Sequence, residues 1–177
     1  MMLCDPFSQD AANHTTMIRY DIDEIIAASP NDMEVADTLE LNFKNVPREE
    51  LYPEERVVID AWKFDYCMGN QLQTMVDHQQ FDEIVNGFAA LLNLDDPFLH
   101  EFVASMRTAL KSNGIDPSTP EGFSPIADLE DSARESLEAE IDRAEAPYLS
   151  RIWGGAIPES FGRYLRSNIN VFRSRNA

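Results

Sequence analysis

Along most of the chain apolar residues recur every three or four positions, and no run alternates in the way half-buried strands do. Ile18, Ile22, Ile25 and Ile26 predict a short helix over 15–28, with Asp21, Asp23 and Glu24 filling its polar face. Ser29-Pro30-Asn31-Asp32 reads as an N-cap, a proline at the first helical position and an acid at the third, which launches a helix to about Leu39. Its apolar face, Met33, Ala36 and Leu39, is thin, and the stretch 41–52 ends in a turn or one short helical piece between Pro47 and Pro53. Val57, Val58, Ala61, Trp62, Met68, Leu72, Met75 and Val76 then give a broad stripe over 54–79, opened by Glu54 and Glu55. Gly69 interrupts that stripe and marks either a bend or a close backbone approach.

Two compact helical patterns follow. Phe81, Ile84, Val85, Phe88, Leu91 and Leu92 define one over 81–93. The next is capped by Asp96, has Pro97 at its first position, carries Phe98, Leu99, Phe102, Val103, Met106 and Leu110, and closes at Asn113-Gly114. Three prolines and two glycines make 114–127 a long surface loop. Leu129, Ala133, Leu137, Ile141 and Ala144 predict a helix over 128–146, ended by Pro147. A Gly154-Gly155 turn leads to a last helix from Pro158 with Phe161, Tyr164 and Leu165, after which Val171-Phe172 packs back. The expected fold is all-α, a single compact domain of about six to eight helices over 15–177, preceded by a flexible leader over 1–14.

Charge narrows the functional classes. The chain has 177 residues with 32 Asp+Glu against 14 Lys+Arg, a formal net charge of −18. Direct contact with nucleic acid or an anionic membrane rewards basic patches, so neither is expected. The acidity is uneven: residues 1–146 sum to −22, whereas 147–177 hold one acid and five arginines and sum to +4. That basic end can fray, dock on the protein's own acidic body, or dock on a second copy to give a homodimer. Only three bases are lysine, so acidity as an adaptation to high internal salt is another explanation, one that needs no partner. Two cysteines, Cys4 and Cys67, support neither a disulfide framework nor a thiolate metal site, and no stretch approaches the roughly 18 apolar residues of a membrane span. A cytoplasmic location is expected.

Motifs for catalysis are lacking: there is no Gly-x-Ser-x-Gly elbow, no Gly-rich phosphate loop and no His-Glu-x-x-His. No cofactor, no resident metal and no enzymatic activity are expected. The alternative is a small helical metalloprotein or enzyme, using His78 with Asp77 and Asp82, or His100 with Asp96 and Glu101. A metal needs three or four convergent ligands, and Asp96 is already a helix cap. Asp21-Ile22-Asp23-Glu24 starts like a calcium loop, but Ile26 and Asp32 stand where its glycine and closing glutamate belong. Cys67 among Trp62, Phe64 and Met68 reads as a small buried hydrophobe.

The acidic faces carry the leading expectation. Glu49, Glu50, Glu54 and Glu55 cluster at one helix start, and Glu130, Asp131, Glu135, Glu138 and Asp142, with Glu140 and Glu145, crowd another helix that has only Arg134 and Arg143 nearby. Carboxylates three or four residues apart on a helix stand about 6 Å from one another, close to the spacing of phosphates along a strand. Such rows suit the groove of a basic DNA-binding protein, although a charge run is ordinarily just a solvated helix face. A third possibility is an immunity-type partner protein that binds through an apolar surface.

The order of features over about 50–172 resembles a bacterial family of domains of unknown function that includes a dimeric DNA-mimic protein. The residues that carry the resemblance are Met68-Gly69-Asn70-Gln71-Leu72-Gln73-Thr74-Met75-Val76, then Glu140-Ile141-Asp142, and Arg163-Tyr164-Leu165-Arg166 through to Phe172. Asn70, Gln71 and Leu72 stand where the family has a double glycine and an aromatic. The resemblance implies a mostly helical, dimeric, non-enzymatic protein whose negative surface engages a DNA-binding protein. It assigns no contact residues; the acids named above come from charge clustering.

Overall fold

The computed structural model describes residues 20–44, 46–69, 71–152 and 156–174. The 1–14 leader, Cys4, Asn70, the Gly154-Gly155 turn and Arg175 lie outside them. The fold is all-α, with nine helices and no strand among the described residues: α1 (Ile22–Ala28), α2 (Asp32–Phe43), α3 (Pro53–Met68), α4 (Leu72–Asp77), α5 (Phe81–Leu91), α6 (Pro97–Ser112), α7 (Asp131–Ile152), α8 (Ala156–Ser167) and α9 (Ile169–Ser174). Two 3₁₀ segments, Arg48–Glu50 and Pro120–Asp128, join them.

Helix α3 is shared by two apolar clusters. Its C-terminal half gives Ala61, Phe64, Cys67 and Met68 to the larger one, built with α4, α5, α6, α7 and Phe161 of α8. Its N-terminal half gives Val58 and Ile59 to a smaller one, in which the first and last described segments meet through Tyr20, Ile22, Val35, Leu39, Phe43, Leu165 and Phe172. Tyr164 packs against both. Aromatic rings fill the larger centre: Phe64 lies edge-on to Phe88, with centroids 5.5 Å apart, and Phe102 stacks on Tyr148 at 4.2 Å. Helices α3 and α5 approach closely because Gly87 lacks a side chain; a Cβ there would stand 2.5 Å from Phe64.

Helices α5 and α6 form where the periodicity puts them, with Asp96 accepting from the Phe98 amide at 2.9 Å and Gly114 in the left-handed region at φ 77°. Other boundaries differ from the sequence expectation. Asp21 caps α1 by accepting from the Asp23 and Glu24 amides, so the helix begins at Ile22. Ser29 ends α1, and Asn31 is the residue whose side chain caps α2, taking the Glu34 amide at 3.0 Å. Helix α2 runs on to Phe43, and Val35 and Phe43 broaden its buried face beyond Ala36 and Leu39.

The stripe over 54–79 is two helices. The chain breaks after Met68, Gln71 takes a positive φ of 71°, and α4 restarts at Leu72. The apolar register survives that break because Leu72, Met75 and Val76 are buried beside Met68. The 114–127 segment is irregular only as far as Thr119: from Pro120 a 3₁₀ segment capped by Thr119 buries Phe123 and Ile126, and Phe123 stacks on Phe81 at 4.8 Å. Nor does Pro147 end α7. Buried Glu145 and Tyr148 hold the helix on either side of it, and burial outweighs the one backbone bond the proline removes.

Candidate interaction face

The acidic residues singled out in the sequence have different fates. Around 48–55 the chain is fastened from beneath. Arg48 pairs with Asp60 at 2.7 Å and donates to Asn86 at 3.2 Å, and Arg56 donates to the carbonyls of Leu51 and Glu49. Glu49 and Glu50 are exposed and Glu54 is half-buried. Glu55 is fully buried, which removes it from any contact surface. Its carboxylate accepts from the Tyr52 amide at 2.7 Å and from the Tyr20 hydroxyl at 3.0 Å, so it closes the first turn of α3 and ties it to the N-terminal segment. The clustering at 49–55 is therefore partly architectural.

Helix α7 is different. At about 100° per residue, Asp131, Glu135, Glu138 and Asp142 fall within a sector of about 60°. Asp131, Glu135 and Asp142 are exposed, as is Glu130 just before the helix, and Glu138 is half-buried. Among the described residues, none of these five has a cation within ion-pair distance. Two of the three arginines of this helix are turned to other uses, Arg134 donating to the Ile126 carbonyl at 3.1 Å and Arg151 lying 4.1 Å over the Phe98 ring, while Arg143 is exposed beside the α6–α7 concavity. Two further acids of α7 leave the row. Glu140 accepts from Ser112 at 2.6 Å and Asn113 at 3.0 Å, binding α7 to the end of α6, and Glu145 is buried against the start of α4.

Three of the C-terminal arginines dock on the protein's own acidic body. Arg163 meets Asp96 of the α6 cap at 3.4 Å, Arg166 meets Asp32 of α2 at 3.3 Å, and Arg173 grips Asp23 of α1 through two bonds of 2.6 and 2.8 Å. The hydrogen bond from Arg173 holds the Asp23 carboxyl below its usual range. Burial opposes ionisation of Asp96, but bonds from Ser160 and the Phe98 amide, with Arg151 and Arg163 nearby, bring its carboxyl below the usual range too. Packing enforces the geometry: α8 approaches α2 so closely at Gly162 that any side chain there would collide with the Asp32 carboxylate.

The other candidates separate. His78 ends α4 and is exposed, while His100 is exposed with Nε2 2.9 Å from the Leu94 carbonyl. No group of three potential metal ligands occurs among the described residues. Cys67 is buried in the larger apolar cluster. Two open concavities occur: a charged one of about 440 Å³ is lined by Arg48, Asp60, Lys63, Asp82, Glu83 and Asn86, and one of about 610 Å³ with a mixed polar and apolar lining runs between α6 and α7. No helix among the described residues is long and apolar enough to cross a membrane.

One arrangement was absent from the sequence reading. Asp65 of α3 accepts from the Tyr148 hydroxyl at 2.8 Å, and burial pushes its carboxyl up to about 6. Its signal in the sequence is an acid placed between Phe64 and the apolar Cys67-Met68 pair, one position off the buried stripe.

The motifs behind the family resemblance lie at the α3–α4 break, in the middle of α7 and in α8, where Arg163 and Arg166 are ion-paired and Leu165 is buried. Compared with protein-family models, with curated proteins and with solved structures, the chain matches none.

Proposed function

We propose that this protein is a non-enzymatic, cytoplasmic interaction module that presents the carboxylates of α7 to the basic surface of a DNA-binding protein, in the manner of a DNA mimic. One observation carries the reading. Arg163, Arg166 and Arg173 are engaged with carboxylates of α6, α2 and α1, while Asp131, Glu135, Glu138 and Asp142 share one flank of α7 and none of them has a cation within ion-pair distance among the described residues. Carboxylates about 6 Å apart on a helix offer a basic groove a rigid row of acceptors in place of phosphates. Glu49, Glu50 and Glu54 are a second, smaller acidic edge; Glu55 takes no part because it is buried. The resemblance of 163–172 to the DNA-mimic family points the same way.

The test is capture from the native host's lysate on tagged protein, with washes of rising salt and identification of what elutes. DNA-binding proteins should be retained at low salt, leave at high salt, and be displaced by duplex DNA. The fourfold variant Asp131→Asn, Glu135→Gln, Glu138→Gln and Asp142→Asn should lose this binding with its helical circular dichroism unchanged. Capture that resists salt, or that survives the fourfold change, would leave the acidity as a matter of solvation or salt adaptation.

A further inference from the structure

Gln71, between α3 and α4, has φ 71° and ψ 150°, a backbone conformation that glycine adopts freely and a residue with a side chain adopts only under strain. Its side chain is exposed, so burial does not offset that strain. Its amide bonds the Met68 carbonyl at 3.0 Å, which leaves the Leu72 amide to the Glu145 carboxylate of α7 at 2.9 Å. In a straight helix Gln71 would relax to ordinary helical angles, and the Leu72 amide would take the Met68 carbonyl four residues back. The apolar pattern already suits that straight helix. At about 100° per residue, Ala61, Phe64, Met68, Leu72, Met75 and Val76 fall within one sector of about 120°, and all of them belong to the larger cluster. Tertiary packing therefore imposes the bend against the local preference of the chain.

The bend is what lets the chain close on itself. Before it lie α1, α2 and α3; after it lie α4 to α9. The contacts between these two parts make up the core. Phe64 of α3 meets Phe88 of α5 with centroids 5.5 Å apart, Leu165 and Phe172 complete the smaller cluster, and Arg166 and Arg173 reach Asp32 and Asp23. Neither part covers its apolar face alone, and the same contacts form when the second part comes from another copy.

We propose that α3 and α4 straighten into one helix across which two copies exchange their halves, giving a domain-swapped homodimer. In it the Phe64–Phe88, Arg166–Asp32 and Arg173–Asp23 contacts run between chains. The exchange keeps the contacts of the closed form, releases the strain at Gln71 in each chain and gives each Leu72 amide an acceptor within its own helix. These gains are set against the cost of association. The inference rests on the bend and not on the α7 carboxylates, so it stands or falls separately from the function proposed above.

The experiment is size-exclusion chromatography with light scattering on the full chain, refolded from denaturant at about 1 μM to about 1 mM so that closed chains can exchange. A dimer should appear, and its fraction should grow with concentration. In a dimer refolded from equal parts of isotope-labelled and unlabelled chain, isotope-filtered NMR should show the Phe64–Phe88 contact between chains. Gln71→Gly relieves the bend and weakens the straight helix, by roughly tenfold at each of two bends, so the dimer should weaken about a hundredfold. Glu145→Ala deprives the Leu72 amide of its acceptor in the bent form only, and should tighten the dimer about tenfold. A chain that stays monomeric to the highest concentration, a dimer without the Phe64–Phe88 contact between chains, or a dimer unchanged in strength by either substitution overturns the proposal. If Glu145→Ala does not fold, Gln71→Gly and the mixed-label dimer decide.

Discussion

Helices α8 and α9 and helix α7 both carry a run of charge, and the two runs end in opposite places. Arg163, Arg166 and Arg173 each find a carboxylate on an earlier helix, whereas Asp131, Glu135, Glu138 and Asp142 find no cation among the described residues. The apolar residues beside each run account for the difference. Leu165 and Phe172 are buried in the smaller cluster, which draws the arginines down onto α1 and α2. Leu137 and Ile141 anchor α7 on a separate face and leave the acidic flank outside. Apolar burial thus decides which charges are satisfied within the chain, and electrostatics follows where packing leads.

The largest effect should come from removing an anchor. Phe172→Ala should cost about 3 to 5 kcal/mol, since a fully buried ring is lost, and denaturant unfolding would show it. If Phe172→Ala were nearly neutral, the arginines rather than the ring would be holding α9. Next, Gly162→Ala should cost about 1 kcal/mol, because the Asp32 carboxylate it meets ends a half-exposed side chain that can turn aside and give up Arg166, again read by denaturant midpoint. Arg166→Gln should cost less than about 1 kcal/mol, because an exposed ion pair is screened and its loss exposes little surface.

The fourfold neutralisation of α7 should have the smallest effect on stability. It should raise the thermal midpoint slightly or leave it unchanged, because it removes like-charge repulsion and no internal bond. Destabilisation of more than about 1 kcal/mol would show that the flank is part of the architecture and would erase the contrast with α8 and α9. A pH series divides the two regions again. Asp23 and Asp96, paired with the C-terminal arginines, are lowered, so their stabilisation holds above 3.8 and disappears as pH falls below it. The Asp65 contribution runs the other way, being lost as pH rises through about 6.

Much of this was legible in sequence where one local signal dominates. Helices α5 and α6 have strong apolar stripes, and Asp96-Pro97 with Asn113-Gly114 brackets α6. Misreadings arose where two signals compete or tertiary contact decides. Ser29 and Asn31 are both good caps two residues apart, and the chain uses Ser29 to end one helix and Asn31 to begin the next. Gln71 carries no local mark of a positive φ, and the apolar stripe continues across it. Prolines in 114–127 and at Pro147 announce loops, yet Phe123 and Tyr148 are long-range anchors whose partners Phe81 and Phe102 lie far away in the chain. The candidate acids divide similarly: spacing places Asp131, Glu135, Glu138 and Asp142 on one flank, but no spacing rule distinguishes buried Glu55 from exposed Glu50.

The meeting of the first and last described helices in one cluster has a consequence for synthesis. Asp23 and Arg173 are 150 residues apart, and Ile22, Leu39 and Phe43 share their cluster with Leu165 and Phe172. The ribosome releases α1 and α2 long before α8 and α9 exist, so the apolar side chains of the first two helices wait without their final partners while the larger cluster takes shape. At about 5 to 20 residues per second that interval lasts on the order of ten seconds, a window in which a chaperone can bind the nascent N-terminal half.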